Sequence, residues 1–213
     1  MKHLFLFLLI LNSLAFAQPY PAEWFKPVNP QGAPAWEILP QAAAPGEVIL
    51  SKRTELGILS NFAATPFVYK EKLYASVEGF WQMMKYPEGS SDPRSVKIYP
   101  FTRDEVSAMT AFEAKEAGSV ASAIMKELGI NWVTFEGIQM VYCTLEPGLH
   151  YELILDAMRA KLKQNPEVKR ILLATGDLIL RPDHHDEGCK AQEWKYYELW
   201  MILRAELTSS YSF

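Results

Sequence analysis

A carboxylate, an amide and an amine recur at i, i+4 and i+7 along Ser76-Val77-Glu78-Gly79-Phe80-Trp81-Gln82-Met83-Met84-Lys85. Ser76 is a good N-cap and Pro87 is a stop, so the stretch predicts a helix of about three turns. On that helix Glu78, Gln82 and Lys85 share one face, while Phe80, Met83 and Met84 project elsewhere. Glu78 falls in the first turn, where free N–H groups and the helix dipole favour an ionised carboxylate. By itself the stripe also fits a dipole-satisfying glutamate followed by two solvated polar groups. The residues around it decide.

Just upstream lies Ser60-Asn61-Phe62. Asn61 offers two donors and an acceptor, which suits an amide-rich or ribose-like ligand. Phe62 or Trp81 can stack on a heteroaromatic ring, or either can belong to the core. An ionised Glu78 can stabilise an oxocarbenium-like centre or deprotonate an attacking water. Those are the requirements of N-glycosidic bond hydrolysis.

A second group is Asp183-His184-His185-Asp186-Glu187-Gly188-Cys189, whose side chains are all of metal-ligand type apart from the glycine. Adjacent histidines on an extended loop point opposite ways, and no second His/Cys cluster completes a shell. A hydrated acidic loop, a ligand-gating loop and a metal site all remain open readings. Phosphate-binding glycine loops, a nucleophile-elbow serine and a His-Glu-x-x-His motif are absent from the sequence.

The elements that must position these residues follow from pattern. Residues 48–50 predict a strand, and residues 67–69 and 73–74 predict a hairpin about Lys70-Glu71. Thr102 caps a helix over 103–118, continued by a second helical piece over 119–128. Residues 132–145 and 147–164 predict two more helices, the latter with Pro147 in its first turn. Residues 171–173 and 178–180 predict two short buried strands. A charged loop over 181–190 then leads to a last helix from about 193 to 207. The expectation is one α+β domain, helix-rich, with a small sheet.

The chain has 213 residues and a formal net charge of -4, with no long basic run to bind a nucleic-acid backbone or an anionic membrane. Residues 1–17 predict a signal peptide: Lys2 and His3, then an apolar run from Leu4 to Leu14, then Ala15-Phe16-Ala17. The run is short for a permanent anchor and no lipoprotein cysteine follows it. The expected address is periplasmic or secreted, with no membrane anchor after cleavage. Residues 18–46, rich in Pro and Ala, predict an extended arm packing through Trp24, Phe25 and Trp36, and residues 47–208 the domain. The two cysteines, Cys143 and Cys189, fit either one disulfide or two free thiols.

The block LSNFAATPFVYKEKLYASVEGFWQMMK resembles the NADAR family, also described as YbiA-like. Members share a Ser-Asn-Phe-Ala stretch, a short hairpin, then Ser-Val-Glu, an aromatic, a Gln and a Lys at these spacings. Residues 111–118, Trp132, the 153–162 helix and Ile171-Leu172-Leu173-Ala174-Thr175-Gly176-Asp177 continue the resemblance in order. It implies a compact, mainly helical α+β domain acting on N-glycosidic bonds. Described activities are hydrolysis of phosphoribosylamino-pyrimidines and removal of ADP-ribose from guanine bases. The match implies a catalytic role for Glu78 and a pocket lined by Ser60, Asn61, Phe62, Gln82 and Lys85, with no cofactor.

Two positions depart from the family pattern. Gly79 stands where His is common. In place of a C-terminal Asp, aromatic and Trp-Gly, the chain has LRPDHHDEGCKAQEWKYY, with Asp183 as the acid and Trp194 displaced. The export signal disfavours a cytosolic riboflavin intermediate. The expected activity is hydrolysis of a small nucleotide or ADP-ribose-like substrate, with nucleic acid entering only as an ADP-ribosylated substrate. The alternatives are an exported binding protein that kept the pocket without turnover, and a metal-responsive protein using His184 and His185.

Overall fold

The computed structural model describes residues 20–185, 189 and 191–209. The leader expected at 1–17, and Asp186, Glu187, Gly188 and Lys190 of the charged loop, lie outside them.

The helix predicted from the Glu78 stripe is α1 (Val77–Met83), and all seven of its residues are buried. Ser76 caps it as expected: its Oγ accepts the Gly79 N–H at 2.9 Å and donates to the Met109 carbonyl at 2.9 Å. Beyond its C-terminal end, α1 is held by two guanidinium groups. Arg94 donates to the Met84 carbonyl, and Arg103 to those of Met83 and Tyr86. Lys85 is thereby fixed on both sides.

Around α1 pack α2 (Arg103–Ser107), α3 (Ala111–Glu127) and α4 (Leu149–Gln164). The sequence predicted one helix over 103–118 and another over 119–128; the break falls earlier, between Ser107 and Ala111. Thr102 and Glu105 form a capping box that starts α2. It stops because the carbonyls of Ser107 and Met109 are taken by the Ala75 N–H and the Ser76 hydroxyl. From Ala111 a single helix runs through Gly118.

Glycine at two positions sets the helix approach. A β-carbon at Gly79 would lie 2.5 Å from the Met109 carbonyl oxygen and 2.9 Å from that of Val106. Gly118, in mid-α3, leaves room for Gln82. Glycine weakens a helix interior by about 0.5–1 kcal/mol relative to alanine, and here that loss admits a side chain from α1.

Among the described residues the strands form three two-stranded sheets rather than one small sheet. β1 (Glu47–Ile49) pairs in parallel with β6 (Ile179–Arg181). β2 (Phe67–Tyr69) and β3 (Lys72–Tyr74) form the predicted hairpin, with Lys70 and Glu71 both at positive φ. β4 (Trp132–Phe135) and β5 (Ile138–Val141) form a second hairpin, where the sequence pattern predicted a helix. Glu136 and Gly137 at its tip have φ of 51° and 76°, the signature of a two-residue primed turn.

Residues 171–173, predicted as a strand, belong to α5 (Pro166–Ala174). Val168, Ile171 and Leu172 bury a helical stripe, and β6 finds its partner in β1 instead. The last described element is α6 (Tyr196–Ser209), preceded by a 3-10 turn at Gln192–Trp194.

The Pro-rich stretch before β1 contributes to the core. Trp24 is fully buried, and its indole N–H donates to Glu55 at 2.9 Å. Farther along, the Ile38 N–H donates to the Asp183 carbonyl and the His185 N–H to that of Trp36. Trp36 is thereby laid beside the segment carrying the histidines. Cys143 and Cys189, left open by the sequence, form a disulfide with their Cα atoms 5.5 Å apart.

Candidate functional site

A cavity of about 550 Å³ opens between α1, α3, the 60–62 loop and the segment around His184. Ser60, Asn61, Phe62, Glu78, Trp81, Gln82 and Lys85 all line it. Asp183 does not. It lies behind the wall, 1% exposed, where its carboxylate takes Lys52 Nζ at 2.6 and 2.7 Å and the His184 ring at 3.1 Å. Burial alone would raise its pKa, but the hydrogen bonds from His184 and Lys52 outweigh that and hold it below the usual carboxylate range. Asp183 therefore acts by placing Lys52 and His184.

The polar stripe on α1 is not a solvated face. Glu78 and Gln82 are each 8% exposed and Lys85 is 5% exposed. Gln82 Nε2 donates to Glu78 Oε1 at 2.8 Å, and Lys85 Nζ donates to Ser122 Oγ at 2.9 Å. The helix start lends less support to an ionised Glu78 than the sequence suggested. The Glu78 and Gly79 N–H groups are spent on the Asn61 carbonyl and the Ser76 cap. Burial raises the Glu78 pKa above its ordinary value, although Gln82, Lys85, Lys115 and His184 each pull it back. Burial likewise lowers Lys85 to about 8, against the attraction of Glu78.

A second stripe faces the first. Lys115, Ser119 and Ser122 on α3 stand at i, i+4 and i+7 and line the opposite wall. Their spacing was readable, but no sequence signal distinguished it from a solvated helix face.

Aromatic rings close both ends. At one, Phe112 packs against Phe62 (5.3 Å between centroids) and Trp36 (6.1 Å), with Lys52 over the rings of Phe62 and Trp36. At the other, Trp81 meets Trp194 edge-on at 5.3 Å, backed by His150 at 4.7 Å. Both Phe62 and Trp81 thus present rings to the cavity, and Trp81 is also part of the core. The Asn61 Oδ1 is buried with no hydrogen-bond partner among the described residues.

Both departures from the family pattern take on a structural meaning. Position 79 faces the carbonyls at the end of α2 rather than the cavity, so glycine there costs the site no polar neighbour. Trp194, displaced in sequence, lines the cavity. Among the described residues no three His, Cys, Asp or Glu side chains are grouped to hold a metal, and the Cys189 sulfur is in the disulfide.

Fold and site together define an α+β chain with a partly enclosed, lysine-bearing, aromatic-walled cavity around one buried glutamate. No family model matches the chain, and no curated protein matches it. It is similar to the NMR structure of the E. coli protein YbiA, at 21% identity over 76% of this chain and 86% of that one, with a TM-score of 0.46.

Proposed function

We propose that this chain is an exported N-glycosidase of the NADAR type, acting on a ribosylated or ADP-ribosylated nucleotide derivative. The observation that carries the reading is the buried Glu78 carboxylate, paired to Gln82 and set near Lys85 and Asn61 in a cavity with ring-lined ends. A volume of about 550 Å³ suits a small-molecule ligand. The Ser-Asn-Phe and Ser-Val-Glu blocks that suggested the family are brought to this one cavity.

In this reading a planar base stacks between the ring walls and the lysines meet the anionic part of the substrate. As the C1′–N bond breaks, its electron pair leaves with the base and positive charge develops on the sugar. Ionised Glu78 stabilises that charge and takes a proton from the water that adds to C1′. Its buried setting strengthens both effects. Export rests on the pattern of residues 1–17, and the Cys143–Cys189 disulfide supports an oxidising compartment.

The test is product analysis on the chain from Gln18, wild type beside Glu78→Gln. The compounds are NAD, ADP-ribose, ADP-ribosylated nucleic acid and phosphoribosylamino-pyrimidines. The expected result is a released base or ribose product that vanishes in the variant. Thermal stabilisation by one of these compounds without turnover, in both proteins, would overturn catalysis and leave a binding protein.

A further inference from the structure

Lys161 sits in α4, fully buried, and touches none of the chemistry above. Among the described residues no carboxylate pairs with it. Burial pulls its pKa down to about 7. An unpaired buried ammonium is costly, and a methionine would fill the same space without that cost.

What the ammonium adds is donors. Its Nζ gives one hydrogen bond to the Ile58 carbonyl and one to that of Ser60, both at 3.0 Å, and lies 5.6 Å from the Trp200 ring centroid. The carbonyl between them, that of Leu59, accepts the Trp200 indole N–H at 2.5 Å. The next two continue the series: Asn61 accepts the Glu78 N–H at 3.0 Å, and Phe62 accepts the Ala111 N–H at 3.2 Å. From 58 to 62 every carbonyl is thus tied down by α4, α6, α1 or α3, and Ser60, Asn61 and Phe62 line the cavity. Lys161 holds two of the five.

We infer that Lys161 is a positioning residue, gripping the Ile58 and Ser60 carbonyls so that the loop presents Ser60, Asn61 and Phe62 to the ligand. Its kinetic consequence rests on the glycosidase reading; its structural consequence does not.

The test uses Lys161→Met, which keeps the stem and removes the donors. Amide hydrogen exchange should show lost protection at the Glu78 and Ala111 N–H groups, with the α5 amides unchanged. In wild type labelled at lysine Cε, the resonance that vanishes in the variant should titrate near pH 7, apart from that of Lys85 near 8, which remains. Base release should fall roughly ten- to a hundred-fold in kcat/KM, as expected for a displaced binding group. Unchanged protection at Glu78, loss spread evenly over all helices, or a variant-sensitive lysine resonance that titrates near 10.5 in wild type would each overturn the inference. If Lys161→Met does not fold, Lys161→Gln, which retains donors, is expected to keep the Glu78 and Ala111 protection, and losing it would count against the assignment. A wild-type protein that releases no base would remove the glycosidase reading and leave the exchange result standing.

Discussion

Gln82 and Gly118 are in direct contact across the α1–α3 interface: a β-carbon at position 118 would fall 1.7 Å from Gln82 Oε1 and 2.8 Å from its Cγ. The amide that steadies Glu78 therefore occupies space that only glycine leaves open. Gly118→Ala gains about 0.5–1 kcal/mol of helix stability and loses about 1–3 to overpacking. The expected net loss is about 1 kcal/mol by denaturant melt. The larger effect is chemical. With Gln82 displaced, Glu78 loses a hydrogen bond that favours its ionised form, so the acidic limb of the pH–rate profile should move to higher pH.

Glu78→Gln separates stability from function. The folded-state pKa of Glu78 is raised, so its protonated form is the one the fold prefers. That contribution is full below the unfolded-state pKa and is lost as pH rises through the folded value. The variant should therefore gain in melting temperature over wild type as pH rises from acid to neutral, while base release falls by about 10²–10⁴-fold. A variant that is less stable than wild type at neutral pH would contradict this account of the carboxylate.

Placing at position 79 the histidine common in NADAR proteins should not improve the site. The new side chain would meet the Met109, Val106 and Ser107 carbonyls at the α1–α2 contact. Gly79→His is expected to cost roughly 2–4 kcal/mol, read as a lowered denaturation midpoint, with no gain in turnover.

The disulfide joins residues 46 apart in sequence and ends at Cys189, a lining residue of the cavity. Replacing both cysteines by serine should cost about 2–4 kcal/mol by loop entropy. A reducing agent should lower the wild-type melting temperature to that of the variant and leave the variant unmoved.

The glutamate stripe was legible because its cap, its stop and its helical spacing are all local. The cavity's other wall was not. Lys115, Ser119 and Ser122 carry the same spacing, but burial by α1 depends on Gly118 and Gln82 meeting, which no local pattern encodes. The β4–β5 hairpin was missed because Glu136-Gly137 is a weak turn signal within an apolar run. Residues 171–173 look like a strand until Val168 is counted with Ile171 and Leu172. Lys161, between Ala160 and Leu162, looks like a solvated lysine on an exposed helix face. Asp183 was expected to line the pocket, but its carboxylate is turned to Lys52 and His184 behind the wall, a pairing across 131 residues with Lys52 that no local pattern encodes.

The loop from Ile58 to Phe62 is anchored through its backbone oxygens, leaving the side chains of Asn61 and Phe62 outside that anchoring. Exchanging those side chains re-surfaces the cavity without moving the chain that bears them. The surface of the cavity can therefore be varied at 61, and at 62 within the limits of the Phe112 contact, independently of the loop's path, whereas the two side-chain donors beneath the loop, Lys161 and Trp200, tolerate no such change.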